Sequence, residues 1–333
     1  MTPGRCAVQV GDHRAPACRA TLDKDAKGLL RLVSAVHLSR PENYLSIYQS
    51  GCNLACRKCH SWSFAKVKQG RWYRPQDIVQ AAKKYERQVT LVEPRKRATA
   101  WHAHDSCRCC GACILNGQPS AACPGKLTPE QICFGPQGFG PARNIVAFTG
   151  GDLTCCPDFY AQCAEGIKAH TRLWTLIETN GYGLTADNLD ILQRHGVDAF
   201  WLDIKAWDEK THRWLTGGTN ARILRLPAEI RERGFVLEVL SLYIPQVVAV
   251  DQLGHIARHL AAVDTAIPFT ILAFFPEHRM RGYRAPATSE MVAAYHGAKA
   301  AGLRNVRLGN LGVFVRTEED LDLLVRNVPP EDR

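Results

Sequence analysis

Three cysteines at the spacing C-x3-C-x2-C are the residues of this sequence best suited to chemistry. Cys52, Cys56 and Cys59 follow directly after a short apolar run, residues 44–48. Thiolates are soft ligands that suit iron–sulfur clusters, so three of them close together can hold three irons of a cubane. The fourth iron would then have no protein ligand and would be open to a small molecule. A purely structural site would instead close its coordination sphere with four ligands, as structural zinc sites do.

A second group of cysteines lies in a basic segment that is rich in Gly and Pro. Four of its members follow the pattern C-x2-C-x2-C-x9-C, with a proline after the last: Cys107, Cys110, Cys113 and Cys123. Four thiolates from one loop can close a [4Fe–4S] cluster, and the pattern resembles the bacterial ferredoxin run with a longer final spacing. Because Cys109 and Cys133 lie nearby, a mononuclear iron or zinc site with four cysteine ligands stays open as the alternative.

These residues must be positioned by a regular alternation of short apolar strands and amphipathic helices. The predicted strands cover residues 44–49, 144–148, 173–179, 199–204, 235–244, 269–274 and 305–308. The predicted helices cover residues 75–89, 157–170, 184–195, 208–233 with a break at Gly217-Gly218, 251–263 and 288–301. Such alternation predicts a parallel sheet with helices packed outside it.

Six or seven βα units are fewer than a complete eightfold barrel needs, so the predicted fold class is α/β. We expect a partial (β/α)6 parallel barrel with a cysteine-rich insertion after the first βα unit, and a site at the carboxyl ends of its strands. The expected organisation is a lead-in (1–43), the barrel (44–89 and 144–315), a ferredoxin-like cluster-binding insert (90–143) and a C-terminal helix or tail (316–333).

Polar or glycine residues follow the predicted strands. Gly150-Gly151-Asp152 follows the second strand, where glycines let a ligand approach the backbone and an acid can accept hydrogen bonds from an ammonium group. Glu178-Thr179-Asn180 ends the third strand. Asp203 and Lys205, two residues apart at the end of the fourth, should point to the same side. No side chain is predicted as a catalytic acid, base or nucleophile.

The order of these motifs resembles that of the radical S-adenosylmethionine (SAM) enzymes, whose signature is a three-cysteine loop after the first barrel strand. The run Trp-Leu-Asp-Ile-Lys-Ala-Trp-Asp-Glu-Lys-Thr-His-Arg-Trp-Leu-Thr-Gly, residues 201–217, is similar to one branch of them. That branch is the glycyl-radical-enzyme activases, typified by pyruvate formate-lyase activating enzyme. The resemblance spans about residues 44–315.

The resemblance implies a role for each strand-end motif. Gly150, Gly151 and Asp152 would bind the amino group of SAM, although Asp stands where the family has Glu. Lys205 would bind the SAM carboxylate, while the Glu178, Thr179, Asn180 turn and Asp203 would line the SAM site or a monovalent-cation site. His278, in a segment similar to the family's Pro-Tyr-His, would contact the nucleoside. Lys58 departs from the family, because the residue before the third cysteine is usually an aromatic that packs on the adenine.

The implied cofactors are a SAM-binding [4Fe–4S] cluster, a second [4Fe–4S] cluster and SAM itself. The implied function is reductive cleavage of SAM to a 5′-deoxyadenosyl radical that abstracts hydrogen, with a protein glycine as the activase-like substrate. The sequence leaves three alternatives open: radical modification of another protein or small molecule, including methylation; a non-catalytic iron–sulfur electron-transfer protein; and a zinc-binding nucleic-acid protein.

Composition narrows the partners and the compartment. The chain has 333 residues, 14 cysteines and a formal charge of +10. It begins Met-Thr-Pro-Gly-Arg without an apolar signal segment, so we expect a cytoplasmic protein without membrane association, in which clustered cysteines bind metal. A basic surface suits an acidic electron donor, of flavodoxin or ferredoxin type, or an acidic protein substrate. Nucleic acid is not favoured, because no basic run is interleaved with aromatic residues.

Overall fold

The computed structural model describes residues 6–333. Its strands are β1 (Ala7–Val10), β2 (His13–Pro16), β3 (Leu22–Asp25), β4 (Gly28–Ser39), β5 (Tyr44–Gln49), β6 (Arg71–Tyr73), β7 (Cys133–Gly135), β8 (Gly138–Gly140), β9 (Ile145–Gly150), β10 (Trp174–Thr179), β11 (Ala199–Asp203), β12 (Val236–Tyr243), β13 (Phe269–Ala273) and β14 (Val306–Gly309). Its α-helices are α1 (Ala17–Thr21), α2 (Trp62–Ala65), α3 (Pro75–Glu86), α4 (Ala103–Ser106), α5 (Ala112–Leu115), α6 (Asp158–His170), α7 (Ala186–Arg194), α8 (Glu209–Thr216), α9 (Leu226–Glu232), α10 (Val250–Val263), α11 (Thr288–Ala300), α12 (Leu311–Phe314) and α13 (Glu318–Asn327).

The centre of the molecule is a ten-stranded sheet, most of which is parallel. Along it the strands follow the order β14-β13-β12-β11-β10-β9-β5-β4-β3, with β6 paired to β4. Every neighbouring pair from β5 to β14 is parallel. Helical crossovers therefore join seven parallel strands, which confirms the predicted partial barrel. The strands are mostly buried on both faces because helices cover one side and the barrel interior lies on the other.

The predicted lead-in adds antiparallel strands to the sheet. Its twelve-residue strand β4 pairs antiparallel with β5, and β3 and β6 both pair antiparallel with β4. The sheet therefore continues past the first barrel strand in the antiparallel sense. The hairpin β1–β2 stands outside this sheet as a separate two-stranded unit.

The insert, residues 90–143, contains only short elements and passes along the amino-terminal ends of the barrel strands. Its Ala98 and Ala100 are buried in a cluster with Tyr44 and Ile145, the first residues of β5 and β9. The backbone N–H of Trp101 donates to the carboxylate of Glu238 on β12 at 2.9 Å. The amino-terminal end of the barrel is thus covered by chain, and its carboxyl end is left for a site.

Candidate active site

The loop with Cys52, Cys56 and Cys59 leaves the carboxyl end of β5 and is held by neighbouring strand ends. Four backbone hydrogen bonds of 2.7–3.1 Å hold it: Asn53 to Asp152, Ala55 to Thr216, Arg57 to Leu215, and Arg279 to Arg57. The partners belong to the segments after β9 and β13 and to helix α8. The loop is therefore fixed by the barrel rather than by its own short sequence.

Glycines allow this close approach. Gly51 and Gly150 have positive φ angles of 81° and 84°, which L side chains rarely adopt. A Cβ atom on Gly151 would lie 2.2 Å from the carbonyl oxygen of Gly51. The Gly-Gly pair after β9 is thus needed for the cysteine loop to pack on the strand ends.

The three thiols of the loop share one electrostatic environment. Burial raises the pKa of Cys56 to about 12, and the nearby Lys205 ammonium opposes this rise, while the charges of Cys59 and Cys52 add to it. Burial likewise raises the pKa of Cys59 to about 11, assisted by Cys52 and opposed by Lys205. Without metal the Cys56 and Cys59 thiols keep their protons at neutral pH, so coordination would release protons.

Lys205 forms an ion pair with Asp203, as their spacing on the strand predicts. Burial raises the pKa of Asp203, and the Lys205 charge counteracts it. Oδ1 of Asp203 is buried and has no hydrogen-bond partner among the described residues. A buried carboxylate oxygen is costly to leave unbonded, so this atom is suited to accept a hydrogen bond from a ligand.

The Asp152 carboxylate joins two of the strand-end motifs. Its Oδ1 accepts from the backbone N–H and the hydroxyl of Thr154, at 2.8 and 2.9 Å. Its Oδ2 accepts from the Thr179 hydroxyl at 2.7 Å and from the Asn180 N–H at 2.8 Å. The carboxylate thus already accepts four hydrogen bonds within the protein. Its predicted contact with an amino group stays a prediction, and the structure adds a role in positioning the neighbouring turn.

The residues of that turn face different directions. The Asn180 amide donates to Asn53 at 2.8 Å and lies 3.6 Å from the Cys52 sulfur. Glu178 instead faces the barrel interior, where its carboxylate accepts from the hydroxyls of Tyr44 and Thr149. Burial raises the pKa of Glu178 to about 8. Thr179 and Asn180 therefore lie at the cysteine loop, and the Glu178 side chain points away from the loop into the barrel interior.

Lys58, which stands where the family usually has an aromatic residue, is buried. Its ammonium pairs with the Glu277 carboxylate at 2.6 Å and lies 3.4 Å from the centre of the Phe275 ring. Burial lowers the pKa of Lys58, and Glu277 opposes that effect. The next residue after Glu277 is His278, whose ring stacks on Trp62 with ring centres 5.4 Å apart. The segment after β13 therefore meets the cysteine loop, which brings the predicted His278 to this end of the barrel.

Comparisons with known proteins agree with this arrangement. Residues 137–260 match the model of the radical SAM superfamily. This stretch of the chain is therefore similar to radical SAM domains. The matched range includes the Gly-Gly-Asp, Glu-Thr-Asn and Asp-x-Lys motifs, and the cysteine loop precedes it.

One curated relative is a candidate glycyl-radical enzyme activating enzyme of Methanocaldococcus jannaschii. It is 31% identical over 105 residues, which are 30% of this chain and 39% of the relative. The chain thus spans about two fifths of the relative's length. Among solved structures, SuiB of Streptococcus suis aligns with a TM-score of 0.51 and 13% identity, over 84% of this chain and 53% of that one. A domain of pyruvate-formate lyase-activating enzyme from Bacteroides vulgatus aligns with a TM-score of 0.43 and 17% identity, over 50% of this chain and 98% of that one. The SuiB likeness extends the shared fold beyond the matched domain.

The residues at the carboxyl end of the barrel fit the cofactors that the matching superfamily implies. Within residues 6–333, no three His, Cys, Asp or Glu side chains converge at the spacing of a single metal ion. A four-iron cubane is wider than one ion, and its thiolate ligands stand around its corners. Three neighbouring thiols, the Lys205 ammonium and the unbonded oxygen of Asp203 provide donors for three irons and polar contacts for an amino acid.

The second cysteine group is less tightly gathered. Cys109 lies at the base of the insert, with its sulfur 3.4 Å from the Asn43 amide nitrogen, and its N–H donates to the Cys107 sulfur at 3.3 Å. The Cys133 sulfur lies 3.4 Å from the Arg40 guanidinium, which also hydrogen-bonds Asn43. Cys110 and Cys123 are exposed. Of the four predicted ligands, Cys107 is thus hydrogen-bonded by Cys109, a cysteine outside the predicted set.

A cavity of about 800 Å³ lies between the barrel strands, the insert and helix α13. Trp201 and Glu238 line it from the sheet, and Trp101 and His104 line it from the insert. Trp201 is two residues before Asp203 on β11, so both side chains point to the same face of the strand. The cavity therefore borders the face of β11 that carries Asp203.

Sequence reasoning missed the residues that act from the barrel interior. Glu238 is the lone charged residue in the apolar run of β12 and is buried there. A single acid in a strand buried on both faces is a detectable signal, because an unpaired buried charge is costly. Trp201 and the Lys58–Glu277 pair have no such local signal.

In residues 6–333, none of the helices combines the length and apolar character of a membrane span.

Proposed function

We propose that this protein is an enzyme that cleaves SAM reductively and uses the resulting radical to abstract hydrogen from a substrate. The observation that carries the proposal is the grouping of three neighbouring thiols with the Lys205 ammonium and an unbonded Asp203 oxygen at the carboxyl end of the barrel. The match to the radical SAM superfamily and the candidate activating enzyme among its relatives support the same chemistry.

Each residue has a defined task in this proposal. The thiolates of Cys52, Cys56 and Cys59 hold three irons of a [4Fe–4S] cluster. When bound, the cluster supplies one electron to SAM, which breaks into methionine and a 5′-deoxyadenosyl radical. Lys205 attracts the SAM carboxylate, and the free oxygen of Asp203 accepts a hydrogen bond from a polar group of SAM.

The nucleoside would lie towards the segment after β13. His278 and Trp62 form a stacked pair there, and Phe275 is covered by Lys58. These aromatic side chains offer flat apolar surface to a base and help to exclude water from a radical. The Lys58–Glu277 ion pair takes the place of an aromatic residue on the loop itself and ties the loop to this segment.

The cavity beside Trp201 is the proposed substrate site. Activase-like chemistry makes a backbone glycine of a partner enzyme the candidate substrate, as the name of the M. jannaschii relative suggests. We further propose a second [4Fe–4S] cluster in the insert, held by Cys107, Cys110, Cys113 and Cys123, which passes electrons from an external donor to the first.

The decisive experiment measures 5′-deoxyadenosine formed from SAM by anaerobically reconstituted protein with dithionite. We expect formation that depends on Cys52, and the Cys52→Ala variant is the matched control. Equal amounts of product from both proteins would refute the proposal. For the substrate, a partner enzyme made with α-deuterated glycine should pass deuterium to 5′-deoxyadenosine. Modification of that partner without deuterium transfer would exclude glycine.

A further inference from the structure

Four cysteines that belong to neither cysteine group come together behind the Gly-Gly-Asp turn. Cys6 and Cys18 flank the β1–β2 hairpin, whose base is closed by a hydrogen bond of 2.8 Å from the Ala17 N–H to the Cys6 carbonyl. Cys155 and Cys156 follow the turn that carries Asp152. Cys6, Cys18 and Cys155 pack, each partly exposed, against one small apolar cluster: Val8, Ala17, Ala20 and Leu153. Chain segments about 140 residues apart thus share a set of accessible thiols.

A buried guanidinium lies beside this set. Arg31 on β4 is 0% exposed, and its Nη2 donates to the Gly51 carbonyl at 3.4 Å. Its Nε and Nη1 have no hydrogen-bond partner in residues 6–333. The Arg31 charge acts on Cys156. A buried cation with unused donors favours an anion next to it, and the Cys156 thiol is one group under its influence that can become an anion.

The two neighbouring thiols differ in acidity for this reason. A hydrogen bond from Cys155 lowers the pKa of Cys156 to about 7; burial opposes this, Arg31 assists it and Asp158 opposes it. Cys155 shows the reverse: its hydrogen bond to Cys156 and its burial raise its pKa, as do the charges of Cys156, Asp152 and Cys18. Cys156 is thus the more acidic thiol of the adjacent pair, and Cys18 packs against the same apolar cluster as Cys155.

We propose that Cys156, Cys155 and Cys18 form a thiol–disulfide exchange site that reacts with external disulfides. The Cys156 thiolate attacks a disulfide RS–SR, which forms a mixed disulfide and releases RS⁻. Cys155 gives up its proton and attacks the Cys156 sulfur, which releases the second RS⁻ and forms a Cys155–Cys156 disulfide. The net change oxidises two protein thiols and reduces RS–SR to two thiols.

Cys18 completes the sequence. Its thiolate attacks the Cys155 sulfur and expels the Cys156 thiolate, which is a good leaving group because its pKa is lowered beside Cys155 and Arg31. The product is a Cys18–Cys155 disulfide, with the Cys156 thiolate restored beside Arg31. This bond would join the N-terminal hairpin segment to the turn whose Asp152 carbonyl binds Asn53 in the first cysteine loop. The proposal does not depend on the radical chemistry proposed above.

The test treats the anaerobic, cluster-loaded full chain with glutathione disulfide at pH 7 and maps the modified cysteines by mass spectrometry. We expect a crosslinked peptide pair containing Cys18 and Cys155. The Cys155→Ser variant should accumulate a glutathione adduct on Cys156, and Cys18→Ser should stop at the Cys155–Cys156 disulfide. Cys156→Ser should lower the rate of crosslinking at least about tenfold.

Cys163→Ala is the matched control, because Cys163 lies in the adjoining helix α6 and is buried in the main core, away from this set. It should crosslink at the rate of the unmodified protein. Mapping separates the site from Cys110 and Cys123, which are exposed to glutathione disulfide wherever the insert holds no cluster. Recovery of Cys18 and Cys155 as free thiols after prolonged treatment overturns the proposal. Crosslinking by Cys156→Ser at an unchanged rate overturns it equally.

Discussion

The two cysteine groups differ in what holds them. The loop with Cys52, Cys56 and Cys59 is hydrogen-bonded to the segments after β9 and β13 and to helix α8, and Lys205 acts on its thiols. The insert group is bonded mainly to the connection between β4 and β5, through Asn43 and Arg40, and leaves Cys110 and Cys123 exposed. The barrel thus prepares the first group before any metal binds.

This contrast separates two ways of building a metal site. A site held by a rigid scaffold has little chain entropy to lose when the metal binds. A site on a loosely held insert must gain much of its order from the metal itself, as small metal-stabilised domains do. The following predictions test how far this difference extends.

The largest effect is expected at the first group. Cys56→Ala removes one of three ligands from the rigid loop, and no other cysteine of that loop can replace it. We expect 5′-deoxyadenosine formation to fall at least about 100-fold, because each step of the proposed chemistry needs the bound cluster. Cys163→Ala, the buried control, should keep its activity. A Cys56→Ala protein with more than a tenth of the activity of the unmodified protein would contradict the proposed difference between the two cysteine groups.

Glu238 tests how firmly the insert is attached to the barrel. Burial raises the pKa of Glu238 to about 7, and its hydrogen bonds to Trp101 and Thr270 oppose that rise. A raised carboxyl pKa means that the folded state holds the proton longer than the unfolded state, so stability falls as pH rises from about 4.3 to 7 and then levels.

Glu238→Gln removes this titration. We expect the free energy of unfolding, measured with urea, to fall between pH 5.5 and 8 in both proteins. The fall should be smaller in the variant than in the unmodified protein by on the order of 2 kcal/mol. Identical declines would mean that this contact between insert and barrel is not buried in solution.

Lys205 should matter for SAM more than for the thiols. Lys205→Met removes the partner of a charge-assisted contact, so we expect SAM affinity to fall about tenfold. Equilibrium dialysis on cluster-loaded protein measures this directly. Lys210→Met, on the exposed start of α8, serves as the control. If both variants bind SAM equally well, Lys205 has no role at the carboxylate.

Loss of the cluster in the insert should leave the cluster of the first cysteine loop in place. Cys107→Ser should reduce iron and sulfide from about eight to about four per chain, since one cubane of the two is lost. The electron paramagnetic resonance signal of the first cluster, and its response to SAM, should persist. Loss of both clusters together would show that the two groups form one cooperative unit.

The smallest effect is expected at Lys58. Lys58→Met removes an ion pair with the partly exposed Glu277 and a cation–π contact with Phe275. We expect a loss of stability of about 1 kcal/mol, because the methionine still fills the buried volume. Thermal unfolding measures it, with Lys83→Met in helix α3 as the exposed control. A loss much larger than this would mean that the pair holds the loop more strongly than its burial suggests.

Much of the barrel could be predicted from the sequence. The apolar strands are bounded by turn residues, and β5, β10 and β11 lie within one residue of their predicted ends. The predicted helix over residues 208–233 is two helices, α8 and α9, separated at the Gly-Gly break and a short 3-10 turn. Local periodicity was therefore sufficient wherever a strand or helix buries one continuous apolar surface.

Long-range contacts could not be predicted in this way. Strand β4 contains Arg31 and His37 inside an otherwise apolar run, which hides the strand pattern, and its pairing depends on β5. Lys58 and Glu277 are 219 residues apart in the chain. Two of the four hydrogen bonds that Asp152 accepts likewise come from a distant segment, at Thr179 and Asn180. Such positions follow from the closed fold, not from spacing along the chain.

Strand β4 also has a consequence for how the barrel ends. A strand has two hydrogen-bonding edges, and β5 uses one for β9 and the other for β4. No eighth parallel strand can add to β5, so the ring of strands cannot close. The open flank is a property of the chain's topology, and β4, itself flanked by β3 and β6, keeps that flank from offering a bare edge to another protein's strand.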